Sequence, residues 1–270
     1  MNSFRFLTIV VVLAAGLVFS ASSSTSKIGV NAPPAPTPSP APNSWPDLST
    51  LTNFKNPSGN KCGINGAGAS AEKKALNRLK NRFRLPEVDF ETINFTDLLA
   101  LDQGRIDTQL NDVVDFPNSE DPNNQRAVSV EGFVASVFTG GCAKHGNKGG
   151  ESCNCNTTVN ALCDAHINVL PQQGMPSVGG RNMYVVEVTE RIRRLAAKGL
   201  LSSNIGKDWS VAKLQQKLEG HRVRFSGFLF FDTDHANQAW VNDPTDKVGS
   251  SNFRQTAWEI HPVLSIKVLD

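Results

Sequence analysis

The chain is 270 residues long, 39% hydrophobic and 19% charged. That is enough apolar material for one good core and a small second one. The formal charge is +2, or +1 once Arg5 leaves with the N-terminal segment, which excludes the global basic field of a general nucleic-acid or acidic-lipid binder.

Residues 1–22 read as an export signal. Arg5 supplies the positive start, Phe6 to Phe19 the apolar run, and Ser20, Ala21 and Ser22 the small residues of a cleavage site. The run is 14 residues, short of the roughly 20 that a spanning helix needs, and no later segment is apolar enough to span. The mature chain is expected to be secreted or periplasmic, with no transmembrane segment. Residues 23–68 read as a tether. "NAPPAPTPSPAPNSWP" is a Pro/Ala linker without a core, and the stretch to Gly68 stays polar and Gly-rich.

Residues 69–125 read as a helical extension packed on the main domain. In "SAEKKALNRLKNRFRLP", Ser70 is a cap, Glu72 sits in the first turn and Pro86 is a stop. Leu76, Leu79 and Phe83 form one apolar stripe. Lys73, Lys74, Arg78, Lys80, Arg82 and Arg84 make the remainder basic. The acidic stretch that follows supplies counter-charge, so these residues are expected to form a solvated face rather than a nucleic-acid helix. "TDLLAL" suggests a second short helix with Thr96 as cap, and "FPNSEDPNNQ" (116–125) a turn-rich hinge.

Residues 126–270 change texture to β. "AVSVEGFVASVF" alternates and carries a mid-strand glycine that suits a bent strand. "DAHINVL" and "NMYVVEVTERI" are the next strands. A short helix and loop are expected within 191–206, and "DWSVAKLQQKLEG" is a helix capped by Asp208 or Ser210. "HRVRFSGFLFFD" is the fourth strand, with an internal glycine at Gly227, and "AWEIHPVLSIKVL" the fifth. Three strands, a helix and two strands predict a mainly β, OB-like five-stranded barrel. The alternative is another small barrel, or a sandwich with an inserted helix.

Export places the five cysteines in an oxidising compartment. Cys142, Cys153, Cys155 and Cys163 fall within 22 residues and are expected to form two disulfides, with Cys62 left over. Zinc, helped by His145, is the rival reading, but the spacing C-x10-C-x-C-x7-C lacks the paired C-x2-C signature.

The phrases "LNRLKNR", "ESCNCN", "DAHINVL", "VVEVTERIR", "FDTDH" and "WEIHPV" together resemble a group of exported bacterial proteins without an assigned function. The resemblance covers roughly residues 71–270. It implies that the basic helix and the barrel form one unit, and it implies no activity.

Strand alternation then gathers a polar constellation. Asp164, His166 and Asn168 share one face of the second strand, and Glu187 and Thr189 one face of the third. Arg222, Arg224, Phe228, Phe230 and Asp232 share a face of the fourth, with His235 in the turn beyond. Glu259 and His261 share a face of the fifth. The metal candidates are therefore His166, His235, His261, Glu187 and Glu259, with Asp164 and Asp232 as supporting carboxylates. Imidazole and carboxylate donors suit a divalent transition metal, zinc best. Such a site could activate water for phosphodiester hydrolysis. A His–carboxylate pair could also act as acid and base without metal, or the groups could form a satisfied structural network. Three histidines converging on one point would favour metal, and dispersed pairs a network.

No G-x-S-x-G elbow, P-loop or G-x-G-x-x-G motif occurs. A binding module is the non-enzymatic reading. Its weaker ligand candidates are Lys144, His145 and Lys148 on the cysteine loop, and Arg222 and Arg224 on the fourth strand. Nucleic acid is poorly supported as a partner, because the second and third strands offer only Tyr184 for stacking. The sequence expectation is an exported binding domain of unknown ligand, with a metal-dependent hydrolase and a purely structural network as alternatives. No catalytic residue is assigned.

Overall fold

Five strands carry the fold: β1 (Ala127–Thr139), β2 (Ala165–Leu170), β3 (Tyr184–Val188), β4 (Arg222–Phe231) and β5 (Trp258–Val268). This computed structural model describes residues 54–55, 61–83, 89–107, 112–140, 142, 150–242 and 252–270. They belong to the unit Trp45–Asp270. The expected signal, the tether as far as residue 53, and Arg84, Pro86, Lys144, His145 and Lys148 lie outside the described residues.

The strands close into a barrel in the order β1-β2-β3-β5-β4, with β4 pairing back onto β1. All neighbours are antiparallel except β3 and β5, which run parallel with Ile260 beside Val186. Closure follows from alternation. Val130, Ile167, Val169, Val186, Phe225, Leu229 and Ile260 form one buried cluster in the interior. Each large apolar side chain removed from water contributes about 1.5–3 kcal/mol. Gly227 has a role beyond bending. The register of β4 on β5 shifts on both sides of it, and a Cβ there would fall 2.3 Å from the Pro262 carbonyl oxygen. Only glycine lets the two backbones approach so closely.

Among the described residues, four α-helices attach to this frame. Helix α1 (Ala71–Lys80) starts at Ser70, whose hydroxyl accepts from the Lys73 N–H at 3.0 Å. It packs against β5, with Leu76 and Leu79 on Phe230. Helix α2 (Phe95–Ala100) is capped by Asn94, not by Thr96. Asparagine is the stronger cap, and Asp97 completes a capping box by accepting from the Asn94 N–H. Helix α3 (Glu190–Ala197) follows β3 at once, capped by Thr189, which accepts from Ile192. Helix α4 (Val211–Leu218) lies between β3 and β4, as the sequence pattern required, with Leu214 and Leu218 buried in the core cluster. No helix among the described residues is long and apolar enough to cross a membrane.

The cysteine pairing differs from expectation. The bonds are Cys62–Cys155 and Cys142–Cys163, and Cys153 is the buried free thiol. Cys62 was assigned to the end of the tether. Instead Lys61–Cys62 pairs as a short strand with Phe54–Lys55, and Cys62 is fully buried. Spacing along the chain could not reveal this, because the bond joins positions 93 residues apart. Two disulfides fit a protein of an oxidising compartment.

Candidate functional site

Residues that alternate with the core positions point to the outer wall of the barrel, and on β2, β3 and β5 several of these are ionisable. Asp164, Glu187, Glu259 and His261 are fully buried and His166 nearly so. They are covered by α1 on one side and by the turn Ser152–Asn154 on another, and these two pieces pack together. His166 stands directly across from Glu187 in the β2–β3 pairing. The parallel β3–β5 pairing carries Glu187 alongside His261.

A continuous chain of charged groups results. His166 Nε2 lies 2.6 Å from Glu187 Oε1. The other Glu187 oxygen lies 3.1 Å from His261 Nδ1. That same nitrogen is 2.8 Å from Glu259 Oε1. Glu259 Oε2 accepts from Arg254 Nη1 at 2.8 Å, and Arg254 reaches Asp232 at 3.2 Å. Asp232 pairs with His235 at 2.5 Å and with Lys80 at 3.6 Å. Lys80 donates to Glu151 at 3.0 Å, and the Cys153 thiol donates to the same carboxylate at 3.2 Å. Asp164 accepts from Asn154 Nδ2 at 2.9 Å.

The chain is not fully satisfied. The Glu187 contacts are close enough for charge attraction but too poorly aligned for hydrogen bonds. Both Glu187 oxygens, His166 Nε2, His261 Nε2 and Asp164 Oδ1 are buried without a hydrogen-bond partner. An orphaned buried polar atom costs about 1–3 kcal/mol, so five around one spot is an arrangement that asks for a ligand. Two triads bring ligand atoms within 4.8 Å of one another around these orphans, Asp164–Glu187–His261 and Glu151–His166–Glu187. A third, Glu151–Cys153–Asp164, shares residues with both.

Charge points the same way. Five carboxylates (Glu151, Asp164, Glu187, Asp232, Glu259) face two permanent cations, Lys80 and Arg254. Burial, then the Glu259 charge, pushes the Glu187 carboxyl well above its ordinary range. Burial likewise raises Asp164 against the pull of His261. Burial opposes a charge on Glu151, but Lys80, His166 and His261 together hold this carboxyl far down. Burial also disfavours a charged His261, yet Glu187 and Glu259 overcome it and raise the imidazole. His166 is lowered, chiefly by burial. The Cys153 thiol is pushed up by burial, then by Glu151 and Asp164. Burial thus opposes a charge on Glu187 and on Asp164 alike.

The sequence candidates divide. Asp164, His166, Glu187, Glu259 and His261 come together as expected. His235 and Asp232 join the network only through Arg254 and Lys80. Among the described residues no triad contains more than one histidine, and His235 belongs to none. The three histidines therefore do not share a point. Arg222 and Arg224 are half exposed and bind Glu131, at 2.7 and 2.5 Å, so they are surface ion pairs rather than ligand contacts. Thr189 is used as the α3 cap, and Asn168 donates to Ser136.

Sequence reasoning missed Glu151 and Arg254, read Lys80 as part of a solvated face, and gave Cys153 to a disulfide or zinc cluster rather than to this network. The α1 helix is not a uniformly solvated basic face. Lys80 is 4% exposed, and Arg82 donates to the carbonyls of Asn124, Leu229 and His261. A signal for Lys80 existed: it lies four residues after Leu76, on the same apolar stripe. Arg254 sits outside any strand pattern and had none.

The site meets the surface beside His166. A cleft of about 350 Å3 opens there, lined by Phe138, Gly140, Asn168, Met183 and Phe253. A side chain at 140 would collide with the imidazole, since its Cβ would fall 2.0 Å from His166 Cδ2.

No family model, curated protein or solved structure matches the chain.

Proposed function

We propose that this is an exported, OB-like barrel that binds one divalent transition-metal ion in the buried pocket of Asp164, Glu187 and His261. The strand order, the parallel β3–β5 pair and the helix between β3 and β4 support the OB-like reading. The observation that carries the metal reading is the set of buried, unpartnered donors, above all His261 Nε2 and both Glu187 oxygens. Glu259 takes the Nδ1 side of His261, which leaves Nε2 as the ligating nitrogen. Lys80 and Arg254 neutralise the outlying carboxylates and confine the charge excess to the pocket. Helix α1 belongs to the unit as its cover.

The six phrases that resemble exported bacterial proteins, a resemblance that implies no activity, fall within this unit. Each puts a side chain into this one network: Lys80, Cys153, His166, Glu187, Asp232 and His261 in turn. We take that unit to be the barrel together with helix α1.

A second reading, metal-dependent hydrolysis of a phosphodiester or similar ester, is favoured by the cleft at His166, which gives a substrate a route to the Glu151–His166–Glu187 end.

Metal content of the purified untagged protein tests the proposal, beside a Glu187→Gln/His261→Ala double variant. About one equivalent of zinc, manganese or iron is expected in the native protein and none in the variant. No metal in either, even after incubation with excess ion, overturns it. Turnover of a chromogenic phosphodiester by the loaded protein, lost in His166→Ala, would separate the hydrolase from the binding role.

A further inference from the structure

We infer that Cys153, the free thiol, is itself a ligand of the ion, so that the pocket is a mixed thiolate–imidazole–carboxylate site selective for zinc-like metals. The inference rests on the metal reading above and deepens it. Its basis is one shared atom. Asp164 Oδ2 lies 4.0 Å from His261 Nε2 and 3.9 Å from Cys153 Sγ. Cys153 Sγ is in turn 3.2 Å from Glu151 Oε2. A tetrahedral ion with bonds of about 2.0–2.3 Å has ligand–ligand edges of about 3.3–3.8 Å. The three spacings straddle that range, but Cys153 and His261 share no cluster within 4.8 Å, so an ion that joins them draws the thiol and the imidazole about 1 Å closer.

Two further observations point to a ligand. His261 Nε2 and Asp164 Oδ1 are fully buried and unpartnered, and Asp164 Oδ2 stands between the imidazole and the thiol. Cys153 also stays out of disulfide pairing although its neighbour at 155 is bonded to Cys62. That bond fixes the turn carrying Glu151 and Cys153 to the segment beneath α1. In an oxidising compartment a second use is expected of a thiol held next to two carboxylates and an imidazole. On binding, a metal–sulfur bond forms, the S–H bond breaks and the proton leaves to solvent. A thiolate ligand shifts preference away from magnesium and calcium and toward zinc and its congeners.

Cobalt(II) is the probe, added to the disulfide-intact protein without reductant. The expected result is a sulfur-to-cobalt charge-transfer absorption in the near ultraviolet, displaced by one equivalent of zinc and absent in Cys153→Ser. Protection of the single thiol from iodoacetamide by zinc gives a second readout that needs no variant. Cys153→Ser should weaken cobalt binding by more than the 10–100-fold typical of losing an outer partner. Cobalt bound without the charge-transfer band, with the thiol still alkylated at an unchanged rate, overturns the role of Cys153 and leaves the carboxylate–histidine site standing. No cobalt bound at all overturns both.

Discussion

The two sides of the barrel wall differ in kind. The interior is largely Val, Ile, Leu and Phe, in an alternation interrupted only at bulges, and the outer wall of β2, β3 and β5 carries acids and histidines almost as deeply buried. Apolar burial is additive and tolerant, because each side chain gains from any dense neighbourhood. Charged burial is neither. Taking an ion from water costs several kcal/mol, and the cost is offset only by particular partners in particular places. A chain whose outer wall served stability alone could have covered it with α1 over aliphatic residues, as it does where Leu76 and Leu79 meet Phe230. The ionisable wall is better understood as a site whose upkeep the interior supports.

Four substitutions would sharpen or break this contrast. The largest effect is expected for Arg254→Met. It leaves Asp232 and Glu259 buried beside one permanent cation fewer, and should cost about 3–5 kcal/mol of unfolding free energy by denaturant titration. A loss below about 1 kcal/mol would mean that the charge account is wrong.

On the other side of the wall, Ile167→Ala should cost about 2–5 kcal/mol through lost burial and a cavity. Its penalty should be the same at pH 5 and pH 8 and with or without metal. A penalty that varied with either condition would show the two sides to be coupled.

His235→Ala should lose about 1.5–3 kcal/mol, the usual range for a charge-assisted hydrogen bond. Asp232 is the main cause that raises the His235 pKa, against burial. The pair's stabilisation is then fully present below the ordinary histidine value of about 6.5 and fades as pH rises through the raised one. Unfolding midpoints of the native protein and the variant should therefore converge toward alkaline pH. Divergence in that direction would reverse the assignment.

The smallest change in stability is expected for Glu187→Gln. The metal-free protein should hold its midpoint or gain up to about 2 kcal/mol, because a carboxyl inclined to stay protonated is replaced by a neutral amide. Metal binding should disappear in the same variant. A large destabilisation with metal binding intact would make the outer wall a structural network after all.

Much of the frame was legible from the residues alone. Alternation in "AVSVEGFVASVF" and "HRVRFSGFLFFD", with glycines where backbones crowd, announced bent strands. The "SVAKLQQKL" stripe announced the helix between the third and fourth of them. The same alternation put Glu187 opposite its apolar neighbours and Glu259 beside His261. What alternation could not show was which groups from different strands meet. Register along β2 and β3 sets His166 against Glu187, and the parallel entry of β5 sets Glu187 against His261.

By itself, then, the sequence determined the five main strands, the helices Ala71–Lys80 and Val211–Leu218, the order of these elements and the face on which the ionisable strand residues stand. These follow from short-range periodicity and from local caps and turns. The tertiary structure decided the partners. It joined Cys62 to Cys155 across 93 residues, turned Lys80 inward from an otherwise basic helix, brought Arg254 between Asp232 and Glu259, and left Cys153 free beside Asp164. Each of these depends on contacts between segments far apart in the chain. Such contacts are selected by the total burial and charge balance of the fold, to which no local pattern gives access.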